Sequence, residues 1–101
     1  MKMTWNEFQS WQSWDEFPER KNDPPFTADV VFSYAGEKYQ IDHIASVNAK
    51  KQLQEGYYFW KIKDENFLKI GYGKKFIDII HMPILDGKSF FERIEELDFN
   101  E

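Results

Sequence analysis

Two histidines and their neighbouring carboxylates are the first residues to weigh for chemistry: Asp42-His43, and Asp78 three positions before His81. The second pair has helical spacing, which would turn both side chains the same way. Each pair offers two ligands where a transition metal takes three or four, and a chain without cysteine has no thiolate to complete the set. No serine or second base accompanies either histidine in a pattern that would make it a general base or activate a nucleophile. Asp86-Gly87-Lys88-Ser89 resembles the tail of a phosphate-binding loop, but Met82 stands where the first glycine of that loop belongs. Gly71-Tyr72-Gly73 lacks the third glycine of a dinucleotide fingerprint and the strand-helix setting that goes with it. The residues therefore predict no catalytic, cofactor or metal site.

The aromatic residues are the stronger signal. Nineteen of the 101 residues are Phe, Tyr or Trp, more than a core of this size needs. Trp and Tyr anchor interfaces disproportionately, so Trp5, Trp11, Trp14 and Trp60 are candidate partner-binding residues. Glu92, Glu95 and Glu96, near the acidic end of the chain, join them as a surface for a basic partner. Net charge is −5 and unevenly placed: residues 1–29 carry three basic and six acidic groups, residues 30–75 eight and five, residues 76–101 two and seven. Only Arg20 and Arg93 supply guanidinium groups, so a nucleic-acid partner is not expected.

Local pattern predicts the elements that carry these residues. Thr4 and Glu7, then Ser13 and Glu16, form two S/T-x-x-E capping boxes, so either can start a helix in an aromatic segment over 1–18. Trp5, Phe8, Trp11, Trp14 and Phe17 recur every three residues and drift round a helix of 3.6 residues per turn. Two arrangements satisfy this: a break near Ser13, or one helix with a second side offered to a partner. Pro18, Pro24 and Pro25 mark a hinge over 19–25.

From 26 to 101 the sequence reads as a sheet-and-helix core. Alternation from Phe26 to Tyr34 and from Tyr39 to His43 about Ala35-Gly36-Glu37 predicts a hairpin. Tyr57–Lys63 and Phe67–Tyr72 read as third and fourth strands about an Asp64-Glu65-Asn66 turn, and residues 45–56 as a loop with some helical turns. Residues 74–82 suit a short helix or a strand. Asp86-Gly87 makes a turn, and Ser89 with Glu92 caps an amphipathic helix whose face is Phe90, Ile94 and Leu97.

The expectation is thus one α+β domain over 1–101, a three- to four-stranded antiparallel sheet packed by N-terminal and C-terminal helices. The chain has no apolar run of membrane-spanning length and no signal-peptide pattern, which predicts a cytoplasmic protein with no membrane partner.

The Thr4-Trp5-Asn6-Glu7-Phe8 opening, the Ala35-Gly36-Glu37-Lys38 turn, the aromatic strand and Ile84-Leu85-Asp86-Gly87-Lys88-Ser89-Phe90 resemble short, uncharacterised proteins of low-GC Gram-positive bacteria and their mobile elements. The resemblance spans residues 26–99 and implies a small cytoplasmic α+β domain; it assigns no functional residue. Three functions are expected from the residues: a protein-binding module of the immunity, antitoxin-like or phage-inhibitor kind, without catalysis of its own; a small-ligand-binding or enzymatic domain with an aromatic pocket between sheet and helices that uses His43 or His81; and a self-associating structural protein, a homo-oligomer.

Overall fold

Backbone chemistry at four tight turns sets the architecture. The computed structural model describes residues 1–21, 24 and 30–99. Ala35 and Gly36 take φ of 52° and 78°, and Asp64 and Glu65 take 49° and 67°, the paired left-handed values of a type I′ hairpin turn. Asp86 and Gly87 do the same at 51° and 82°, closing a small hairpin in which Leu85 and Lys88 exchange backbone hydrogen bonds of 2.9 and 3.2 Å. In the fourth turn, the Asn48 side-chain oxygen accepts from the N–H groups of Lys50 and Gln52, at 2.9 and 3.0 Å. Three of these turns, all but Asp86-Gly87, join strands β1 (Val30–Tyr34), β2 (Glu37–Val47), β3 (Leu53–Lys63) and β4 (Asn66–Gly73), and the short β5 (Asp98–Phe99) follows later.

The strands form one antiparallel sheet in the order β4-β3-β2-β1-β5, five strands against the expected three or four. The fifth comes from the C-terminus, where Phe99 pairs with Phe32 and Asp98 with Ser33. Residues 45–56, expected as a loop with helical turns, instead extend β2 and β3 into a long hairpin arm, with Val47 opposite Leu53. β4 is bulged at Ile70: Gly71 faces Phe59 and Lys69 faces Trp60, which leaves Ile70 without an opposite residue. The hinge expected over 19–25 and the strand start expected at 26–29 fall largely outside the described residues.

Pairing sorts the side chains into two faces. The inner face carries Val30, Phe32, Tyr39, Ile41, Tyr57 and Phe59, all buried. Phe8 of helix α1 (Trp5–Trp11), Phe76 of the single-turn helix α2 (Phe76–Ile79), and Phe90, Ile94, Leu97 and Phe99 complete this core. Phe90 is edge-on to Phe32 and to Phe8, each at 5.3 Å between centroids, and Tyr57 stacks on Phe76 at 5.4 Å. Such aromatic pairs contribute about 0.5–1.5 kcal/mol beyond the area they bury.

The first capping box forms as expected: Thr4 Oγ1 accepts from Glu7 N–H at 3.2 Å and the Glu7 carboxylate accepts from Thr4 N–H at 2.9 Å. The second does not. Ser13 adopts φ 57°, makes no side-chain cap bond, and breaks the helix before a 3-10 turn over Trp14–Glu16. At the other end Ser89 and Glu92 exchange their capping bonds at 3.0 and 3.1 Å. No α-helix succeeds them. The chain runs through turns and a 3-10 turn over Ile94–Glu96, then straightens at Leu97 (ψ 140°) into β5. The expected C-terminal amphipathic helix is therefore corrected: Phe90, Ile94 and Leu97 are buried as its face required, but pairing of Phe99 with β1 holds the segment out of helix.

Candidate partner-binding surface

The outer face of the sheet is where the structure departs from a closed core. Val31, Lys38, Gln40, Asp42, Ile44, Tyr58, Trp60 and Ile62 project there from β1, β2 and β3, as their registers require. The bulge at Ile70 changes the alternation of β4, so that Phe67, Lys69 and Tyr72 all point to this face, opposite Ile62, Trp60 and Tyr58. A four-ring cluster results. Tyr58 lies 5.7 Å from Trp60 and 5.3 Å from Tyr72, and Trp60 lies 6.1 Å from Phe67. The Lys69 ammonium sits 5.0 Å from the centre of the Tyr58 ring.

Phe67 and Tyr72 remain 50% and 49% exposed, whereas the inner-face rings are almost fully covered. Among the described residues, the ring partners of this cluster all lie on β3 and β4. The Trp60 indole Nε1 is shielded from solvent yet has no hydrogen-bond partner among the described residues. Gly56 lets the cluster lie flat: a Cβ there would stand 2.4 Å from Cε2 of Tyr72, so the ring rests directly on the β3 backbone. Beside Tyr72 a groove of about 600 Å³ opens, lined among others by Ile44, Leu53, Lys69 and Lys74.

The other expected partner residues have different surroundings. Trp5 stacks on Phe8 at 5.3 Å and meets Trp14 and Phe91 edge-on, while Trp14 also packs against Phe8 and Phe76. Both are half-buried against the core. Trp11 is 37% exposed, with its ring against Phe8 and Phe99. Glu92 is engaged by Ser89, whose backbone N–H, more than its hydroxyl or the charges of Lys88 and Arg93, holds the carboxyl below the usual glutamate range. Glu96 pairs with Arg93 at 3.3 Å, and Glu95 is exposed beside Lys2, Met3, Thr4 and Glu7. The structure thus sets Trp60 on one face of the sheet and Trp5 and Trp14 against the core that covers the other.

Arg93 has a structural role that the sequence did not signal. Its Nε donates to the Leu85 carbonyl at 2.6 Å and a terminal nitrogen donates to the Asp86 carbonyl at 3.2 Å, while its guanidinium lies 4.9 Å from the centre of the Tyr34 ring. It ties the Asp86-Gly87 turn to the β1–β2 hairpin. Asp98 is held by the N-terminal ammonium of Met1; that hydrogen bond first, and then the ammonium's charge and that of Lys2, keep its carboxyl below the usual aspartate range.

The histidine pairs do not converge. Asp42 and His43 point to opposite faces of β2, with Asp42 accepting from Gln40 and His43 lying 4.8 Å from the Tyr57 ring. The Asp78 carboxylate accepts from Lys75 N–H at 3.3 Å at the start of α2, and His81 is exposed beside Phe91. Among the described residues no three His, Cys, Asp or Glu side chains gather as a metal ion would require. No described helix is long and apolar enough to cross a membrane. Compared with protein-family models, curated proteins and solved structures, the chain matches none.

Proposed function

We propose that this chain is a protein-binding module without chemistry of its own, and that it grips its partner with the outer face of the sheet. The observation that carries this reading is the exposed cluster of Tyr58, Trp60, Phe67 and Tyr72. Exposed aromatic clusters of this kind mark interaction sites, because a monomer gains nothing from leaving them in water. Trp60 is the anchor. Trp5 and Trp14 serve the core instead, and Trp11 and Glu95 lie outside this cluster. Lys38, Lys69 and Lys74 at this face suit a partner that presents acidic and apolar groups together. In a bacterial cytoplasm such a module would suit an immunity, antitoxin-like or phage-inhibitor role, a reading that rests on the aromatic excess of the chain.

Site-specific photo-crosslinking tests this reading. A crosslinking amino acid at position 67, on the outer face, is expected to capture one discrete protein from a lysate of the native host, and the same group at position 95 is expected to capture none or far less. Equal yields from both positions would remove the outer face as the binding surface.

A further inference from the structure

The sheet has two edges, and among the described residues the chain covers one of them. Beside β5, Phe99 N–H donates to the Met1 carbonyl at 2.7 Å and the N-terminal ammonium donates to the Phe99 carbonyl at 3.0 Å. β4, at the opposite edge, has no strand beyond it among the described residues. It carries Phe67, Leu68, Ile70 and Tyr72, each between 36% and 50% exposed. Proteins that stay monomeric blunt such edges with charge, proline or short strands. β4 is eight residues long, has no proline, and has Lys69 as its one charged side chain.

We propose that β4 is the contact of a symmetric homodimer, pairing antiparallel with β4 of a second copy so that two five-stranded sheets become one. The facing pattern of the strand points to a second copy. Asn66, Leu68, Gly71 and Gly73 project inward with Lys63, Lys61, Phe59 and Tyr57, and Phe67, Lys69 and Tyr72 project outward. Because the bulge at Ile70 shifts the alternation, positions 66–68 and 71–73 carry the same facing pattern read from either end. About a two-fold axis between Lys69 and Ile70, Phe67 meets Tyr72 of the second copy on the outer face, and Leu68 meets Gly71 on the inner face.

The neighbouring registers fail. Centring the axis on Lys69 opposes two ammonium groups and sets outward Phe67 against inward Gly71; centring it on Ile70 sets inward Leu68 against outward Tyr72. The surviving register places each Lys69 opposite an Ile70. It also brings the two aromatic clusters side by side, giving one continuous face across the axis. The dimer stands independently of whether that face binds another protein.

Sedimentation equilibrium on the full chain tests it, with wild type, Ile70→Lys and Ile70→Glu. Both substitutions are at an exposed position, and circular dichroism checks that each variant folds. By symmetry Ile70→Lys opposes like charges twice, whereas Ile70→Glu opposes unlike charges twice. The wild-type mass is expected to approach twice the 12.2 kDa of one chain as concentration rises. The dimer of Ile70→Glu is expected to be at least about tenfold tighter than that of Ile70→Lys at low salt, and the gap to narrow as salt screens the pairs. A wild-type chain that stays at 12.2 kDa to millimolar concentration overturns the proposal without reference to the variants. So does association that is equally strong in both variants, since a contact without this register would not distinguish the sign of the charge.

Discussion

Replacing Phe8 with alanine should remove much of this protein's stability, although the residue lies close to the start of the chain. Its side chain is fully buried, and its ring meets those of Trp5, Trp11, Trp14, Phe76, Phe90 and Phe99. Truncating a fully buried Phe costs about 3–5 kcal/mol, from lost transfer energy and from the cavity left behind. A domain of this size has about 5–15 kcal/mol in total. Each kcal/mol corresponds to about 4–8 °C in Tm, so the expected fall is roughly 12–40 °C. Urea and thermal denaturation followed by tryptophan fluorescence measure it directly. Trp11→Ala is the control: that ring is 37% exposed, and its loss should cost no more than about 2 kcal/mol. If Phe8→Ala changed stability by less than about 1 kcal/mol, helix α1 would not be docked, and the division of the aromatics between core and outer face would fail with it.

Arg93→Ala should cost about 1.5–3 kcal/mol, because it removes charge-assisted bonds to the Leu85 and Asp86 carbonyls, and Arg93→Lys should recover only part of it since an ammonium cannot span both; chemical denaturation of both variants decides. Glu92 and Asp98 titrate below their ordinary values of 4.5 and 3.8, so their contribution to stability is complete above those values and is lost as pH falls through the lowered folded values. Denaturation midpoints measured from pH 6 downward are therefore expected to decline below about pH 4.5, and the decline should be smaller in Glu92→Gln. The Tyr39 phenol is pushed up, by burial first and then by the Glu37 and Asp86 charges, so stability should also fall as pH rises past 10.0; Tyr39→Phe should lessen that loss.

What could be read from the sequence divides along physical lines. The turns at Ala35-Gly36, Asp64-Glu65 and Asp86-Gly87 were legible, because left-handed backbone at Gly36 and Gly87 and carboxyl side chains beside a strand break leave a local chemical signature, whereas the Asn48 turn was not. The Ser89–Glu92 capping box was legible for the same reason, yet the path of the chain beyond Glu92 was not. A capping box and apolar residues at helical spacing describe a local preference, and the ladder between Phe99 and Phe32 overrides it from 67 residues away. The arm over 45–56 was misread by the same mechanism: Lys50, Lys51, Gln52 and Glu55 favour helix, but the cross-strand register pairs Ala45–Val47 with Leu53–Glu55 and Gly56 lies under the Tyr72 ring.

The candidate surface was half legible. Trp60 stood out by residue type. Its grouping with Phe67 and Tyr72 depends on the bulge at Ile70, for which the sequence carries no signal beyond the nearby Gly71. The N-terminal tryptophans looked equally available, because three-residue spacing allowed both a break near Ser13 and a continuous helix; the structure takes the break and folds the rings around Phe8.

Recognition through the outer face is tested most sharply by comparing the proteins that three C-terminally tagged forms retain from a lysate of the native host: wild type, Phe67→Ala with Tyr72→Ala, and Trp11→Ala. All three are first checked for folding by denaturation. The outer-face reading predicts one stoichiometric protein held by wild type and by Trp11→Ala, and its loss from the double variant without a comparable loss of stability. Retention of the same protein by the double variant, or its loss from Trp11→Ala alone, would contradict the assignment of recognition to the Trp60 face.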